Sequence, residues 1–228
     1  MREIVLDTET TGLSPDDGHR LVEVAAIELV ERMATGRHFH VWVNPGRPMP
    51  REAEAVHGLS DAFLADKPPF EAIATELLAF LGSAPIIAHN APFDQRFLDA
   101  ELARAGIAPP DAGRWVDTLE IARRRFPGAK HSLDALCARF GIDLSARGQH
   151  GALIDARLLA DVYVELTGGR QMGLDLGRET PAEGAGAGPG ARRDWPVRRF
   201  AVPDSEAAAH AAFISAMTNP VWARAAAG

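Results

Sequence analysis

The apolar positions along the chain change period part-way through. Ile4, Val5 and Leu6 form a short buried run that leads directly into Asp-Thr-Glu-Thr-Thr-Gly at 7–12, which reads as a first strand ending in polar residues. Residues 22–30 are apolar and β-branched enough for a second strand. Residues 38–43 alternate and read as a third, joined to the second by a turn near Thr35 and Gly36. Three sequential strands with short links predict an antiparallel meander. After a proline-rich loop at 45–50 and a segment at 52–59, the spacing becomes helical. Phe70, Ile73, Ala74, Leu77, Leu78 and Leu81 predict a helix over 70–81, stopped by Gly82. Residues 85–88 read as a short buried strand, followed by a helix to about residue 105 with Phe93, Phe97, Leu98 and Leu102 on one side. Residues 116–119 open an element that is helical through 126, and Ser132 caps a short helix to 140. Leu153, Ile154, Leu158, Leu159, Val162 and Leu166 mark an amphipathic helix over 152–166, ended by Gly168 and Gly169. The order β-β-β-α-β-α-α-α predicts an α/β domain over residues 1–170, a mixed sheet with helices on its faces.

Beyond this domain the pattern breaks. Residues 177–194 are a Gly/Ala/Pro linker. Residues 195–228 form a tail in which an Ala-rich helix starts near Pro203 and carries His210, Phe213, Ile214 and Met217 at helical spacing, with Trp195, Phe200 and Trp222 around it. A short apolar helix on a tether cannot bury itself, so the tail reads as a docking peptide.

Charge sharpens the picture. The 228 residues carry a net charge of −7, and the tail from Gly177, with six Arg against five acids, contributes none of it. A free-standing nucleic-acid binder normally has a basic footprint. This domain would need bound metal ions or a partner protein to approach phosphates. The lone cysteine, Cys137, lies in a helical pattern and reads as core filling, which fits a reducing cytoplasm. There is no apolar run long enough to span a membrane, and no leader.

The candidate chemistry is carboxylate chemistry. Asp7 and Glu9 are two apart on a strand and point the same way, an arrangement that makes sense with a cation between them. Oxygen ligands without nearby cysteines favour Mg²⁺ or Mn²⁺. Asp94 opens a helix directly after a buried strand, and Asp155 lies on the first turn of the 152–166 helix with His150 in the loop before it. Taken singly, such acids serve helix dipoles and such a histidine meets solvent. Together, four carboxylates can hold two divalent ions that clamp the attacking and leaving oxygens of a phosphodiester, and a neutral His150 can take a proton.

These segments resemble a known family. Asp-Thr-Glu-Thr-Thr-Gly at 7–12, His-Asn-Ala-Pro-Phe-Asp at 89–94 and His-Gly-Ala-Leu-Ile-Asp at 150–155 are similar to the three exonuclease motifs of the DEDD superfamily, histidine subtype. Val-His-Gly at 56–58, Phe-Pro-Gly at 126–128, Ser-Leu-Asp-Ala-Leu-Cys-Ala-Arg at 132–139 and Leu-Ala-Asp-Val-Tyr at 159–163 resemble, more narrowly, the epsilon proofreading subunits of bacterial DNA polymerase III. The resemblance covers residues 1–176. It implies an RNase H-like fold, removal of nucleotides from DNA 3′ ends and two Mg²⁺ or Mn²⁺ ions. Asp7, Glu9 and Asp155 would bind the catalytic ion, Asp7 and Asp94 the second, and His150 would be the general base. Glu9, Glu52, His57 and Asp155 would contact the terminal nucleotide, with Thr10, Val56 and Phe93 walling its pocket; Phe93 fits the core equally well.

Residues 171–176, with Gln171, Met172, Leu174 and Leu176, occupy the place of a sliding-clamp-binding peptide. Asp175 departs from the family's apolar or aromatic end, which predicts weak clamp binding. The tail would bind the polymerase catalytic (alpha) subunit, and a small theta-like accessory subunit is a further partner. Two other readings stand beside proofreading: a stand-alone RNA or oligonucleotide 3′ exonuclease, and a non-catalytic polymerase assembly subunit. The clamp-like peptide and tethered tail argue against the first. The complete set of four acids and His150 argues against the second.

Overall fold

The computed structural model describes residues 1–145, 150–169 and 201–218. The chain divides into two units, Met1–Leu174 and Asp175–Gly228. In the first unit, β1 (Arg2–Thr10) pairs antiparallel with β2 (Leu21–Val30), and β2 pairs antiparallel with β3 (Met33–Trp42). Short helices α1 (Arg51–His57) and α2 (Asp61–Leu64) and the longer α3 (Phe70–Leu81) follow. Strand β4 (Ile86–Ala88) lies parallel to β1, and helix α4 (Ala91–Arg104) leads to β5 (Trp115–Asp117), parallel to β4. Helices α5 (Thr118–Arg125), α6 (Leu133–Phe140) and α7 (Ala152–Leu166) complete the unit. The sheet order is β3-β2-β1-β4-β5.

The central strand β1 is buried on both sides, which is why its apolar run is continuous rather than alternating. Ile4 and Leu6 pack against Phe70, Leu77 and Leu81 of α3 and against Leu98 and Leu102 of α4. Val5 packs on the opposite face with Leu136 and Cys137 of α6 and Leu159 and Val162 of α7. Cys137 is therefore core filling. Strand alternation then assigns Asp7 and Glu9 to the side of Val5, facing α7, and Thr8 to the side of α4. The parallel strands β1, β4 and β5 all end at one edge of the sheet, where ligand sites of α/β proteins form.

The sheet has one more strand than the sequence reading. Residues 115–117 form β5, which runs straight into α5 through Asp117. Three residues are too few for a period to show. The second hairpin also turns earlier than expected. Its tip is Glu31–Arg32, both at positive φ, and β3 starts at Met33. Gly36 sits inside β3 at a register shift, where Thr35, Gly36 and Arg37 together face Glu28. A glycine at positive φ marks a bulge there instead of the turn. Buried Glu28 makes the bulge useful: it accepts hydrogen bonds from Arg2 (2.7 Å), Thr35 (2.8 Å) and Arg37 (3.0 Å).

In the second unit, α8 (Asp204–Ser215) stands where the helical spacing puts it, with Phe213 and Met217 exposed. The clamp-like peptide at 171–176 and the linker at 177–194 lie outside the described residues.

One ion pair holds the start of β2 in place. Arg20 donates Nε and Nη2 to the two carboxylate oxygens of Glu101 on α4, each at 2.7 Å, and the Leu21 amide donates to the same carboxylate at 3.2 Å. Glu101 is fully buried. Arg20→Ala is expected to lower folding stability by about 2–3 kcal/mol, somewhat less than a fully orphaned buried charge because Arg104 stays in reach. Urea unfolding of the variant against the parent measures this.

Candidate active site

Four acids from three elements meet at the carboxyl end of β1. Asp7 and Glu9 come from β1 itself. Asp94 comes from the first turn of α4, whose entry is set by Asn90 in the left-handed region (φ 67°). Asparagine tolerates that conformation better than other non-glycine residues. The Asn90 amide donates to Asp117 Oδ1 (2.9 Å), the same oxygen that caps α5 through the Leu119 amide (2.9 Å), so one side chain fixes both helix starts. Asp94 is buried and accepts a hydrogen bond from the Thr8 hydroxyl at 2.8 Å, which locks α4 onto the side of β1 opposite Asp7 and Glu9.

Asp155 is buried on the first turn of α7, and Nδ1 of half-exposed His150 lies 3.1 Å from its Oδ2. Glu9, His150 and Asp155 each offer one ligand atom, and these atoms lie within 4.8 Å of one another. Asp7, His150 and Asp155 line a cavity of about 220 Å³ together with His89 and Ser132. Glu9 lines a second cavity, of about 580 Å³. Every residue assigned to the terminal nucleotide other than Asp155 lines it: Glu9, Thr10, Glu52, Val56, His57 and Phe93. Phe93 also packs on the buried Phe97 ring, with centroids 5.1 Å apart, so it is at once a cavity wall and the edge of the core. His57 is buried; its Nδ1 accepts from the Leu59 amide (3.0 Å), which leaves the ring proton on Nε2.

Residues 4–163 match the exonuclease family. The chain is 56% identical over 174 residues to the DNA polymerase III subunit epsilon of Rickettsia prowazekii, covering 75% of this chain and 76% of that protein. It is 46% identical over 176 residues to the same subunit of Escherichia coli, covering 74% and 72%. The chain belongs to the exonuclease family, among its DNA polymerase III epsilon subunits. Among solved structures, exonuclease X in complex with 5′-overhanging duplex DNA is 28% identical at a TM-score of 0.56, covering 72% of this chain and 90% of that one. The nuclease domain of 3′hExo, a DEDDh family member, matches at a TM-score of 0.64 over 73% and 91% of the two chains; at 17% identity it speaks for the fold alone.

Several residues at the exonuclease site escape a sequence reading. Thr8 lies between the two acids but serves the other face of the strand. Leu13 and His19 belong to a loop with no period, yet both line the larger cavity. The His19 ring packs so tightly over Gly12 that a Cβ there would come within 2.3 Å of it. Glu23 sits opposite Glu9 in the β1–β2 register and is buried. In the sequence it is one acid within an apolar strand, and only pairing reveals its place.

The electrostatics show what the site is built to hold. Burial first, then the charges of Asp94, Glu9, Asp155 and Glu23, push the Asp7 carboxyl well above its ordinary pKa. Burial raises Asp94 to about 7, against the opposing hydrogen bond from Thr8. Burial also holds the His57 imidazole below its ordinary value. A cluster of oxygen donors that resists ionising alone, with an imidazole beside it, suits a hard divalent cation.

A measurable consequence follows for the metal-free protein. Folded Asp94 keeps its proton to about pH 7, whereas the unfolded chain releases it near the ordinary carboxylate value of 3.8. Between those values the folded state binds more protons, so stability falls as pH rises. The thermal midpoint of the enzyme in chelator is expected to drop by several degrees from pH 5 to pH 7.5, with Asp94→Asn flattening the slope. Added Mg²⁺ should restore more at pH 7.5 than at pH 5. Differential scanning calorimetry at the two pH values reads all three effects.

Proposed function

We propose that the chain hydrolyses the terminal phosphodiester of a DNA 3′ end with two divalent ions, Mg²⁺ or Mn²⁺, and releases nucleoside monophosphates. Membership among the epsilon subunits makes it a metal-dependent 3′→5′ exonuclease that proofreads for the replicative polymerase. The observation that supports the detailed reading is the convergence of Asp7, Glu9, Asp155 and His150 beside a cavity of about 580 Å³ with an apolar wall.

Asp7, Glu9 and Asp155 would hold one ion, and Asp7 and Asp94 the other. Bound there, the ions supply the positive charge that acidifies a water and offsets the phosphate charge. The residues of the chain do the rest. His150, with Nδ1–H donated to Asp155, is a base at Nε2 and accepts the proton of the attacking water. Val56, Thr10 and Phe93 enclose the terminal nucleoside, and Glu52 and His57 contact it. A cavity that takes one nucleotide from a single strand favours ends that fray, so a mismatched terminus reaches the acids more often than a paired one.

The partners follow the same reading. Helix α8, with Phe213, and Met217 just past its end present exposed apolar side chains for docking to the polymerase alpha subunit. Gln171, Met172, Leu174 and Leu176 would bind the sliding clamp weakly, and a theta-like subunit would join the complex in the cytoplasm. No helix among the described residues is long and apolar enough to cross a membrane.

The deciding experiment is a degradation time course on a mismatched DNA primer, a matched primer and a short RNA, with Mg²⁺, with chelator and with Asp7→Ala. Metal-dependent loss of the mismatched end first, absent from the variant, is expected. Preference for RNA would move the protein to the stand-alone class. His150→Ala should keep its metal isotherm in calorimetry yet lose turnover by about 10²–10⁴-fold, the usual contribution of a general base. Deleting residues 177–228 should leave nuclease activity intact and abolish co-elution with the polymerase subunit.

A further inference from the structure

Helix α7 carries Asp155 one turn in and follows His150 by two residues, yet its N-cap position supplies no side-chain cap. Its N-cap is Gly151, which has no side chain to offer. First-turn amides need partners from elsewhere. The Ala152 amide finds one 129 residues away, donating to Glu23 Oε2 at 3.2 Å. The other oxygen of Glu23 is held at 2.6 Å by Nε2 of His40 on β3. His40 is itself steadied edge-on against Trp42, with centroids 4.4 Å apart, and its side chain is only 15% exposed.

The approach that makes this contact is built from small residues. Ala25 of β2 packs against Ala152 and Ala156 of α7, which lets the helix start lie close over the strand. Glu23 itself is 4% exposed and pairs with Glu9 in the strand register. A further buried acid beside Asp7 and Glu9 raises the repulsion in the site, so its presence calls for a compensating task. Both of its oxygens are engaged by protein donors, and a negative charge at a helix N-terminus is favourable.

We propose that Glu23 and His40 are a positioning pair: together they cap α7 from across the sheet and so fix where His150 and Asp155 stand. The proposal rests on the nuclease reading above. A release of this cap moves the base and one acid relative to Asp7 and Glu9, which stay fixed in β1. Misplacements of this size cost catalysis more than binding.

The test uses the full chain as wild type, Glu23→Ala, Glu23→Gln and His40→Leu. Two quantities are read: kcat and KM on single-stranded DNA, and amide hydrogen exchange of the first turn of α7. Glu23→Ala is expected to lose protection there and to lower kcat by about tenfold to a hundredfold, with KM little changed. Glu23→Gln keeps an acceptor for Ala152 and a partner for His40, so it should hold kcat within about threefold, the scale of a lost charge on a retained hydrogen bond. His40→Leu leaves the amide bond but frees one oxygen, and should give a smaller fall than Glu23→Ala with partial loss of protection.

The proposal is overturned if folded Glu23→Ala keeps full protection in that turn, or if its kcat falls only in step with its folded fraction. It is equally overturned if Glu23→Gln is as impaired as Glu23→Ala, because the charge rather than the hydrogen bonds would then matter, or if folded His40→Leu matches wild type in both readouts. Should the wild type leave DNA intact, the nuclease reading fails, and the exchange data still decide the cap.

Discussion

The gathering of four carboxylates at the carboxyl end of β1 is the constraint that the rest of this fold answers to. Taking a carboxylate out of water disfavours its charge, and burial is the first cause of the raised pKa values of Asp7 and Asp94; at Asp7 the charges of Asp94, Glu9, Asp155 and Glu23 add to it. A flexible chain would relax by moving the acids apart. Here each acid stands on an element that cannot move independently. Strand β1 is locked between β2 and β4 and buried on both faces. Helix α4 is tied to β1 by Thr8, and α7 lies across β1 and β2 with its first amide on Glu23. The rigidity of the sheet is what allows charge to be stored where a cation and a phosphate can use it.

The two faces of β1 divide the work. On one side, α7 brings Asp155 and His150 over Asp7 and Glu9. On the other, α4 supplies Asp94 and the Phe93–Phe97 stack. The larger cavity opens between the end of β1, helix α1 and Phe93, and its wall is mostly apolar. An acidic cluster beside an apolar slot separates two jobs that interfere when merged: on the proposed reading the slot would hold a nucleoside by shape, and the acids would hold charge. This separation also explains how a domain with net negative charge can act on a polyanion. On the proposed reading, the acids would hold divalent ions, which would supply the positive charge at the reacting phosphate.

Much of this was legible in the chain because it is local. The run at 4–6 leading into Asp7 and Glu9, the helix at 70–81 ended by Gly82, and the serine cap at Ser132 each depend on neighbours within a few residues. Side-chain alternation on a strand sufficed to put Asp7 and Glu9 on one face. The three spaced motifs carried the family resemblance, and with it the five residues His150, Asp7, Glu9, Asp94 and Asp155. The short strand β5 did not show, since three residues have no period. Gly36 looked like a turn because glycine marks turns and bulges alike, and only the pairing partner Glu28 distinguishes them.

The sequence by itself determined the order of elements, the pair of strand acids and the chemistry those donors can support, because these follow from covalent neighbours and side-chain type. Tertiary structure alone decided that β5 completes the sheet, that Thr8 serves Asp94 rather than its flanking acids, and that Glu23 caps a helix 129 residues away. Such contacts depend on strand register and on the close approach of small residues across a core. Neither leaves a trace in spacing along the chain.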